Sequence, residues 1–215
     1  MQRLRVKFSR GEEVKFISHL DIMRMWQRVF IRAGVPLAYS EGFNPHPRLS
    51  LAVPLALGVT SEAELMDVML SRWFSPHSFS TAVGRQLPYG IEVLQVLNTP
   101  LTLPSLQSQV RLAEYRVILE TQKDRDDIED AIASIMAKKE LQWQHHRDTG
   151  IRYYDLRALI DQLRFIDLGD GRCTIDMRLR CDSSGSGRPE QVAAASGFER
   201  SPCSIHRTKL ILNST

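Results

Sequence analysis

The chain lacks the residue patterns of metal-binding, disulfide-stabilised and membrane proteins. Its three cysteines, Cys173, Cys181 and Cys203, form no CxxC pair and no spacing typical of a metal site or a disulfide framework. No apolar run approaches the roughly 20 residues that span a bilayer, and the start, MQRLR, lacks the apolar segment of a signal peptide. These absences predict a cytoplasmic protein without a membrane segment or metal ligands, in which Cys173 and Cys181 are buried core thiols.

Patterns of a self-sufficient enzyme are also missing. The sequence has no Ser-His-Asp order, no P-loop ending of the GK[ST] type and no dinucleotide-binding fingerprint. Adjacent residues of a strand point to opposite faces, so His145 and His146 make a poor chelating pair. An enzyme that acts alone is therefore poorly supported.

The composition is that of an ordinary globular protein, with 43% hydrophobic residues, 25% charged residues and a net charge of +3. Arginine far outnumbers lysine, and the planar guanidinium group suits bidentate contacts with phosphate. A GC-rich genome produces the same bias, so the composition favours a nucleic-acid partner only slightly.

The 215 residues are enough for two domains, each with a core of its own. The predicted elements of each half follow the order β-α-β-β-α-β with one extra strand, which is the order of a ferredoxin-like unit. We therefore predict an α+β protein of two ferredoxin-like units with antiparallel sheets. The expected boundaries are residues 1–98 for the first domain, 99–110 for a linker and 111–215 for the second domain.

Local signals define the elements of the first domain. Leu4, Val6 and Phe8 alternate with basic residues, which predicts a strand with one apolar and one basic face. Ser18 is a predicted helix N-cap, and apolar residues follow at helical spacing up to Gly34. Further elements are predicted at Leu37–Ser40, Leu49–Pro54, Glu64–Leu70 and Ile91–Leu97 as strands, and from Pro76 as a helix.

Two sets of basic residues in this domain are candidates for contacts with RNA phosphates. Helices cover one face of such a sheet and leave the other face to a ligand, and a row of arginines on a helix can neutralise successive phosphates. The alternative is an ordinary solvated surface, because exposed charge is the norm. The two sets are Arg3, Arg5 and Lys7 on the first strand and Arg24, Arg28 and Arg32 on the first helix.

The segment SEGFNPHPRLSLAVPL, from Ser40 to Leu55, contains a histidine between two prolines. Proline fixes its own φ and restricts the residue before it, so Pro45 and Pro47 predict a stiff, extended turn around His46. An aromatic side chain in such a turn can stack on a base, although a hairpin phenylalanine also serves as a core residue. The expected RNA contacts are Phe43, Asn44, His46 and Arg48.

His46 also has a catalytic interpretation. A histidine titrates near neutral pH and can act as a general acid or base in RNA cleavage. The candidate pair is His46 with His19 at the start of the first helix. The alternatives are a structural turn or a non-catalytic contact with RNA or protein.

A second candidate for phosphate binding is the loop SSGSGRPEQ, which leads into a helix that begins at Pro189. Free N–H groups at a helix N-terminus can bind phosphate, and Arg188 would add a positive charge. The same composition serves as a flexible connection, so both interpretations stand.

Four stretches of the sequence resemble an uncharacterised radical-SAM-linked protein family, a domain of unknown function. The first half carries the most specific match, VKFISHLDIMRMWQRVFIRAGVPLAYSEGFNPHPRLSLAVPLALGVTSEAELMDV. In the second half, YDLRALI, GRPEQV and IHRTKLIL are similar to the landmarks of that family. The helix PEQVAAASG is richer in alanine than the family pattern.

The resemblance implies a partner rather than a catalytic residue. Members of the family are encoded beside, or fused to, a cobalamin-binding-type radical SAM protein, often near genes of RNA processing and ribosome assembly. The chain has no CxxxCxxC for an iron–sulfur cluster. The cluster, S-adenosylmethionine and cobalamin are therefore expected on the partner.

Three functions follow as hypotheses. The first is a non-catalytic accessory protein of a radical SAM enzyme that binds structured RNA, either tRNA or rRNA, through basic surfaces. The second is a metal-independent RNA-processing enzyme that uses His46, and the third is a pure protein-docking module.

Overall fold

The structure is a computed structural model that describes residues 1–147, 150–182 and 184–213, without the side chains of 145–147 and 151–152. The chain divides into two compact units. Unit 1 comprises Met1–Val110 together with Asn213, and unit 2 comprises Arg111–Leu212.

Unit 1 is built on an antiparallel sheet. Its elements are β1 (Gln2–Arg10), a 3-10 turn (Glu12–Val14), α1 (His19–Arg32), β2 (Leu49–Leu51), β3 (Thr60–Leu70), α2 (Pro76–Gly84), β4 (Ile91–Thr99) and a short helical turn α3 (Leu106–Gln109). β1 pairs with both β3 and β4, and β2 pairs with β3, all antiparallel. The strand order is therefore β4-β1-β3-β2.

Helix α1 forms where the sequence predicts it. The Ser18 hydroxyl accepts a hydrogen bond from the backbone N–H of Asp21 at 3.2 Å, which satisfies one of the free donors of the first turn. The buried side of the helix places Trp26 between Phe8 of β1, at 4.9 Å between ring centroids, and Phe30, at 5.2 Å. The predicted N-cap and the apolar stripe are confirmed.

The predicted hairpin around the proline-containing turn is much shorter than expected. β2 contains three residues, and the segment predicted as a strand at Leu37–Ser40 makes isolated bridges to Leu70 and Pro47. Proline has no N–H to donate to a sheet ladder, so Pro47 limits strand pairing here. The chain instead leaves the sheet as an exposed loop.

The second face of the unit 1 sheet is covered around Arg3 and Arg5. Arg3 and Arg5 lie on this face, and both bind Asp67 of β3, with Arg3 Nε to Oδ2 at 2.7 Å and Arg5 Nε to Oδ1 at 2.8 Å. Arg3 also donates to the carbonyl oxygens of Leu103 and Pro104, each at 2.8 Å. The segment predicted as a linker therefore packs over the sheet.

This arrangement corrects one prediction. Arg3 and Asp67 are buried, and Arg5 has a side chain that is 12% exposed. The expectation that Arg3 and Arg5 form an exposed, phosphate-binding strand is wrong, because their guanidinium groups are occupied by Asp67 and by residues 103–109. Lys7 of the same strand is half-buried.

Unit 2 also contains an antiparallel sheet with helices packed against it. Its elements are β5 (Val110–Glu120), α4 (Arg125–Ala137), β6 (Gln142–Arg147), β7 (Gly150–Asp155), a 3-10 turn (Arg157–Leu159), β8 (Ile160–Gly169), β9 (Arg172–Asp182), β10 (Gly185–Ser186), α5 (Pro189–Ala195) and β11 (Ser204–Leu212). β9 pairs antiparallel with β5, β8 and β10, and β11 is the other neighbour of β5. β6 and β7 form a separate hairpin.

The protein is thus a mixed α/β fold with extensive antiparallel sheet and few helices. The interpretation of the two units as ferredoxin-like stays a prediction. None of the helices in the described part of the chain is long and apolar enough to cross a membrane.

Removal of the Asp67 carboxylate should destabilise unit 1 strongly. Replacing Asp67 by alanine leaves two arginines without their buried counter-charge, and we expect a loss of about 3–5 kcal/mol in the free energy of unfolding. Urea unfolding monitored by circular dichroism measures it. Glu129→Ala, which removes an exposed partner of Arg125, should cost less than about 1 kcal/mol; equal losses in the two variants would contradict this assignment.

The cysteines should differ sharply in reactivity. Burial raises the pKa of the Cys181 thiol to about 11 and also raises the pKa of Cys173, so neither forms the reactive thiolate at pH 8. Cys203 is exposed. We expect iodoacetamide to label Cys203 alone in the folded protein and all three thiols after unfolding, as measured by mass spectrometry. Fast labelling of Cys173 or Cys181 in the folded state would refute the burial argument.

Candidate nucleic-acid interface

The proline-containing turn is a closed, exposed loop of unit 1. The backbone N–H of Ser40 donates to the carbonyl of His46 at 2.9 Å, and the N–H of His46 donates to the Ser40 hydroxyl at 3.0 Å. Gly42 has a φ of +118°, a conformation that side-chain-bearing residues rarely adopt. These contacts hold Phe43 at the tip of the loop, where its side chain is fully exposed.

Other aromatic residues and arginines lie at the same end of unit 1. The backbone N–H of Ser71 donates to the carbonyl of Pro36 at 2.9 Å, which brings the segment after β3 beside the loop. Residues between Ser71 and Phe74 therefore share this end, and Trp73 is 74% exposed. We name the following residues the aromatic-basic surface: Arg32, Tyr39, Phe43, Arg48, Arg72 and Trp73, all of which are exposed.

Half of the residues of this surface could be identified from the sequence. Phe43, Arg48 and Arg32 were expected as RNA contacts, and the structure places them at one end of unit 1. Tyr39, Arg72 and Trp73 were missed. A large aromatic residue shortly after the end of a strand, as Trp73 is after β3, is the signal that could have identified one of them.

The side chains around the loop leave its charges largely unpaired. Arg48 contacts the sulfur of Met1 at 3.8 Å through Nη1, and Asn44 and His46 are exposed. Glu41 is the carboxylate of the same loop. Three arginines against one carboxylate give this end of unit 1 a positive charge.

The predicted row of arginines on α1 is exposed along its whole length. Arg24 pairs with Asp21 at 3.1 Å, and a hydrogen bond from Ser18, together with Arg24, lowers the pKa of Asp21 below its usual range. No ion pair involves Arg28 or Arg32 among the described residues. The arginines of α1 without an ion pair therefore lie toward the end of the helix that is nearest the loop.

The structure does not bring His19 and His46 together. Arg10, at the end of β1, donates to the carbonyl of Ile17 at 3.0 Å and anchors the start of α1 there. The base of the loop lies at the other end of β1, because the Arg48 carbonyl accepts a hydrogen bond from the backbone N–H of Met69 in β3. The 14 residues of α1 span about 21 Å between these ends.

His46 also lacks the surroundings of a catalytic base. No side chain in the described part of the chain hydrogen-bonds to its imidazole ring, whereas catalytic histidines are oriented by a third group. Within the described residues there is likewise no cluster of three or more His, Cys, Asp or Glu side chains that could hold a metal ion. The side chains of His145 and His146 lie outside the described residues.

Arg188 is exposed at the N-cap of α5, but few backbone donors accompany it. Pro189 has no N–H, and the N–H groups of Gln191 and Val192 bind the Arg188 carbonyl at 3.1 and 3.2 Å. Ser183 of the same loop lies outside the described residues. A phosphate bound at this site would therefore contact little besides the guanidinium group of Arg188.

Unit 2 contains a pocket of about 580 Å³ at one end of its sheet. Lys123 lies 5.0 Å above the ring of Phe198 and donates to the carbonyl of Ser196 at 3.2 Å. Arg200 binds Glu120 at 2.7 Å and lowers its pKa. Cations and carboxylates are equal in number in the lining, namely Lys123, Arg172 and Arg200 against Glu120, Asp170 and Glu199. This pocket has no surplus of charge for an anionic ligand.

The charged face of the unit 2 sheet is neutralised as well. Arg116 and Arg164 both pair with Asp176, at 3.0 and 3.1 Å, and Arg178 pairs with Asp161. The carboxylates offset the positive charge of these arginines and so weaken their attraction for a phosphate. The aromatic-basic surface is thus the better candidate for contacts with RNA.

The opposite end of unit 1 exposes several large apolar side chains. Gly11 N–H donates to the Gly90 carbonyl at 2.7 Å, and Gly58 N–H donates to the Lys15 carbonyl at 2.9 Å, so three segments meet there. These segments expose the following large side chains, which we name the apolar end: Phe16, Leu20, Leu57 and Tyr89. Exposed apolar patches of this kind mark contact sites for proteins.

Two solved structures share the fold of this chain. A chain of the "Crystal Structure of a Cbf5-Nop10-Gar1 Complex" aligns with a TM-score of 0.53 and 7% identity over 96% of this chain and 48% of that chain. A chain of the "Structure of H/ACA RNP bound to a substrate RNA containing 2'-deoxyuridine" aligns with a TM-score of 0.52 and 8% identity over 96% and 47%. This chain thus spans about half the length of the chains it resembles.

No curated protein sequence matches the chain. A family profile described as "Uncharacterized protein conserved in bacteria (DUF2344)" matches residues 3–189, which is most of the sequence. The protein therefore belongs to this family of uncharacterised conserved bacterial proteins.

Proposed function

We propose that the protein is a non-catalytic accessory protein that binds RNA through the aromatic-basic surface and docks on a radical SAM enzyme. Its RNA ligand is a structured RNA such as tRNA or rRNA. The iron–sulfur cluster, S-adenosylmethionine and cobalamin belong to the partner, and the chemistry takes place there.

The observation that carries the proposal is the composition of the aromatic-basic surface. Fully or largely exposed aromatic rings beside exposed arginines combine the two contacts that RNA-binding surfaces use, which are base stacking and phosphate binding. The shared fold supports the proposal further, since one of the matched structures is an H/ACA RNP bound to a substrate RNA.

Docking on a radical SAM protein is supported by the family resemblance and by the apolar end of unit 1. A protein interface buries aromatic and aliphatic side chains at its centre. Phe16, Leu20, Leu57 and Tyr89 supply such side chains at a distance from the aromatic-basic surface. No comparable observation favours an RNA-processing enzyme based on His46, since neither His19 nor any other group of the described residues orients its ring.

RNA binding should depend on the arginines of the aromatic-basic surface. Replacing Arg32, Arg48 and Arg72 together by alanine removes three phosphate contacts, and we expect the slope of log K against log salt to fall by about 2. Fluorescence anisotropy with labelled tRNA between about 50 and 200 mM salt measures the slope.

The matched control removes three exposed arginines elsewhere, Arg85, Arg111 and Arg125, and therefore the same net charge. We expect its slope to equal that of the wild type. Equal losses in the two triple variants would show that binding follows net charge alone and would overturn the proposed surface.

Docking should depend on the apolar end and not on RNA. We expect a tagged wild-type chain to recover a radical SAM protein from native extract both with and without RNase treatment. Phe16→Asp combined with Leu57→Asp should abolish that recovery, while Phe43→Asp should not. If recovery disappeared after RNase treatment, RNA would bridge the two proteins, and this result would contradict the docking proposal.

A further inference from the structure

The rings of the aromatic-basic surface are exposed in a way that needs an explanation. Phe43 is fully exposed and Trp73 is 74% exposed, and neither ring packs against another aromatic ring in the described part of the chain. Burying such a ring against a ligand removes a large apolar area from water. These two rings are therefore the strongest candidates for contacts with a ligand at this end of unit 1.

The loop is pre-organised to present its ring. Two hydrogen bonds between Ser40 and His46 close the loop, and Pro45 and Pro47 restrict its backbone. A ligand that binds Phe43 therefore has little loop entropy to overcome. Rigid presentation of a ring suits a planar partner that stacks on it.

The surrounding charge argues against recognition of a duplex. Duplex binding relies on many phosphate contacts along two backbones, but Arg3 and Arg5 are occupied by Asp67. On the charged face of the unit 2 sheet, Arg116, Arg164 and Arg178 are likewise paired with carboxylates. At this end of unit 1, Arg32, Arg48 and Arg72 are exposed and have no ion pair within the part of the chain that the structure describes, and three cations are few for a duplex.

We propose that the aromatic-basic surface binds unpaired RNA nucleotides, with one base stacked on Phe43, another on Trp73, and the phosphates beside them on Arg48 and Arg72. This inference rests on the proposed RNA-binding function and narrows it to single-stranded segments such as loops or ends. Bases in a duplex are stacked on each other and are not accessible to these rings.

The test compares one RNA strand of about 12 nucleotides, free of self-pairing, with the same strand annealed to its complement. We expect the single strand to bind at least about tenfold more tightly than the duplex at equal salt. Phe43→Ala and Trp73→Ala should each weaken single-strand binding about 5- to 150-fold, the range for one stacked base. Both variants change exposed residues, and their folding is checked by circular dichroism.

Two further variants separate stacking from general apolar contact. Phe43→Tyr keeps the ring and should bind as the wild type does, whereas Phe43→Leu keeps apolar area without a π-face and should lose affinity. Tyr153→Ala removes an exposed aromatic residue of unit 2 that belongs to neither named surface and should leave the affinity for the single strand unchanged. In the wild type, the single strand should also quench the emission of the exposed Trp73, an effect that Trp73→Phe removes.

The outcomes distinguish the inference from the function on which it rests. Absence of binding to either RNA overturns the proposed function and the inference together. Binding in which the duplex competes equally, or in which Phe43→Leu matches the wild type, overturns the inference alone and leaves RNA binding in place.

Discussion

The buried carboxylate of Asp67 is the interaction on which the arrangement of unit 1 depends. It lies between Arg3 and Arg5 of the neighbouring strand, and these arginines in turn hold the carbonyl groups of residues 103–104 over the sheet. Two adjacent guanidinium groups could not be buried on one sheet face without a counter-charge. The carboxylate therefore allows two of the basic residues of β1 to be enclosed.

The burial of Arg3 and Arg5 also limits which cations are accessible to a ligand. With Arg3 and Arg5 enclosed and the arginines of the unit 2 sheet paired, exposed arginines of unit 1 remain on α1 and around the loop at its far end. The rings of Phe43 and Trp73 lie at the same end as Arg32, Arg48 and Arg72. The proposed recognition of RNA at this surface would therefore depend more on aromatic contact than on accumulated positive charge.

The features that could be predicted from the sequence are those encoded locally. Ser18 and the apolar spacing that follows it predict α1 correctly, and the prolines around His46 predict a stiff turn. The environment of Arg3 could not be predicted, because alternation identifies the two faces of a strand but not what covers them. Its partners lie 64 to 101 residues away in the chain.

The same limit applies to the candidate site. Phe43 and Arg48 are neighbours in sequence and were identified together. Trp73 joins them through the contact between Ser71 and Pro36, which no local pattern contains. Pairing of distant segments is a property of the folded sheet, so half of the surface became visible only in three dimensions.

Helix α1 gives the two ends of unit 1 a fixed separation. Its first turn adjoins the apolar end and its last turn adjoins the aromatic-basic surface, about 21 Å apart. The aromatic packing of Trp26 with Phe8 and Phe30 joins the helix firmly to the sheet. A protein held at one end and a nucleotide held at the other would therefore be kept at a set distance, and unit 1 would work as a molecular ruler.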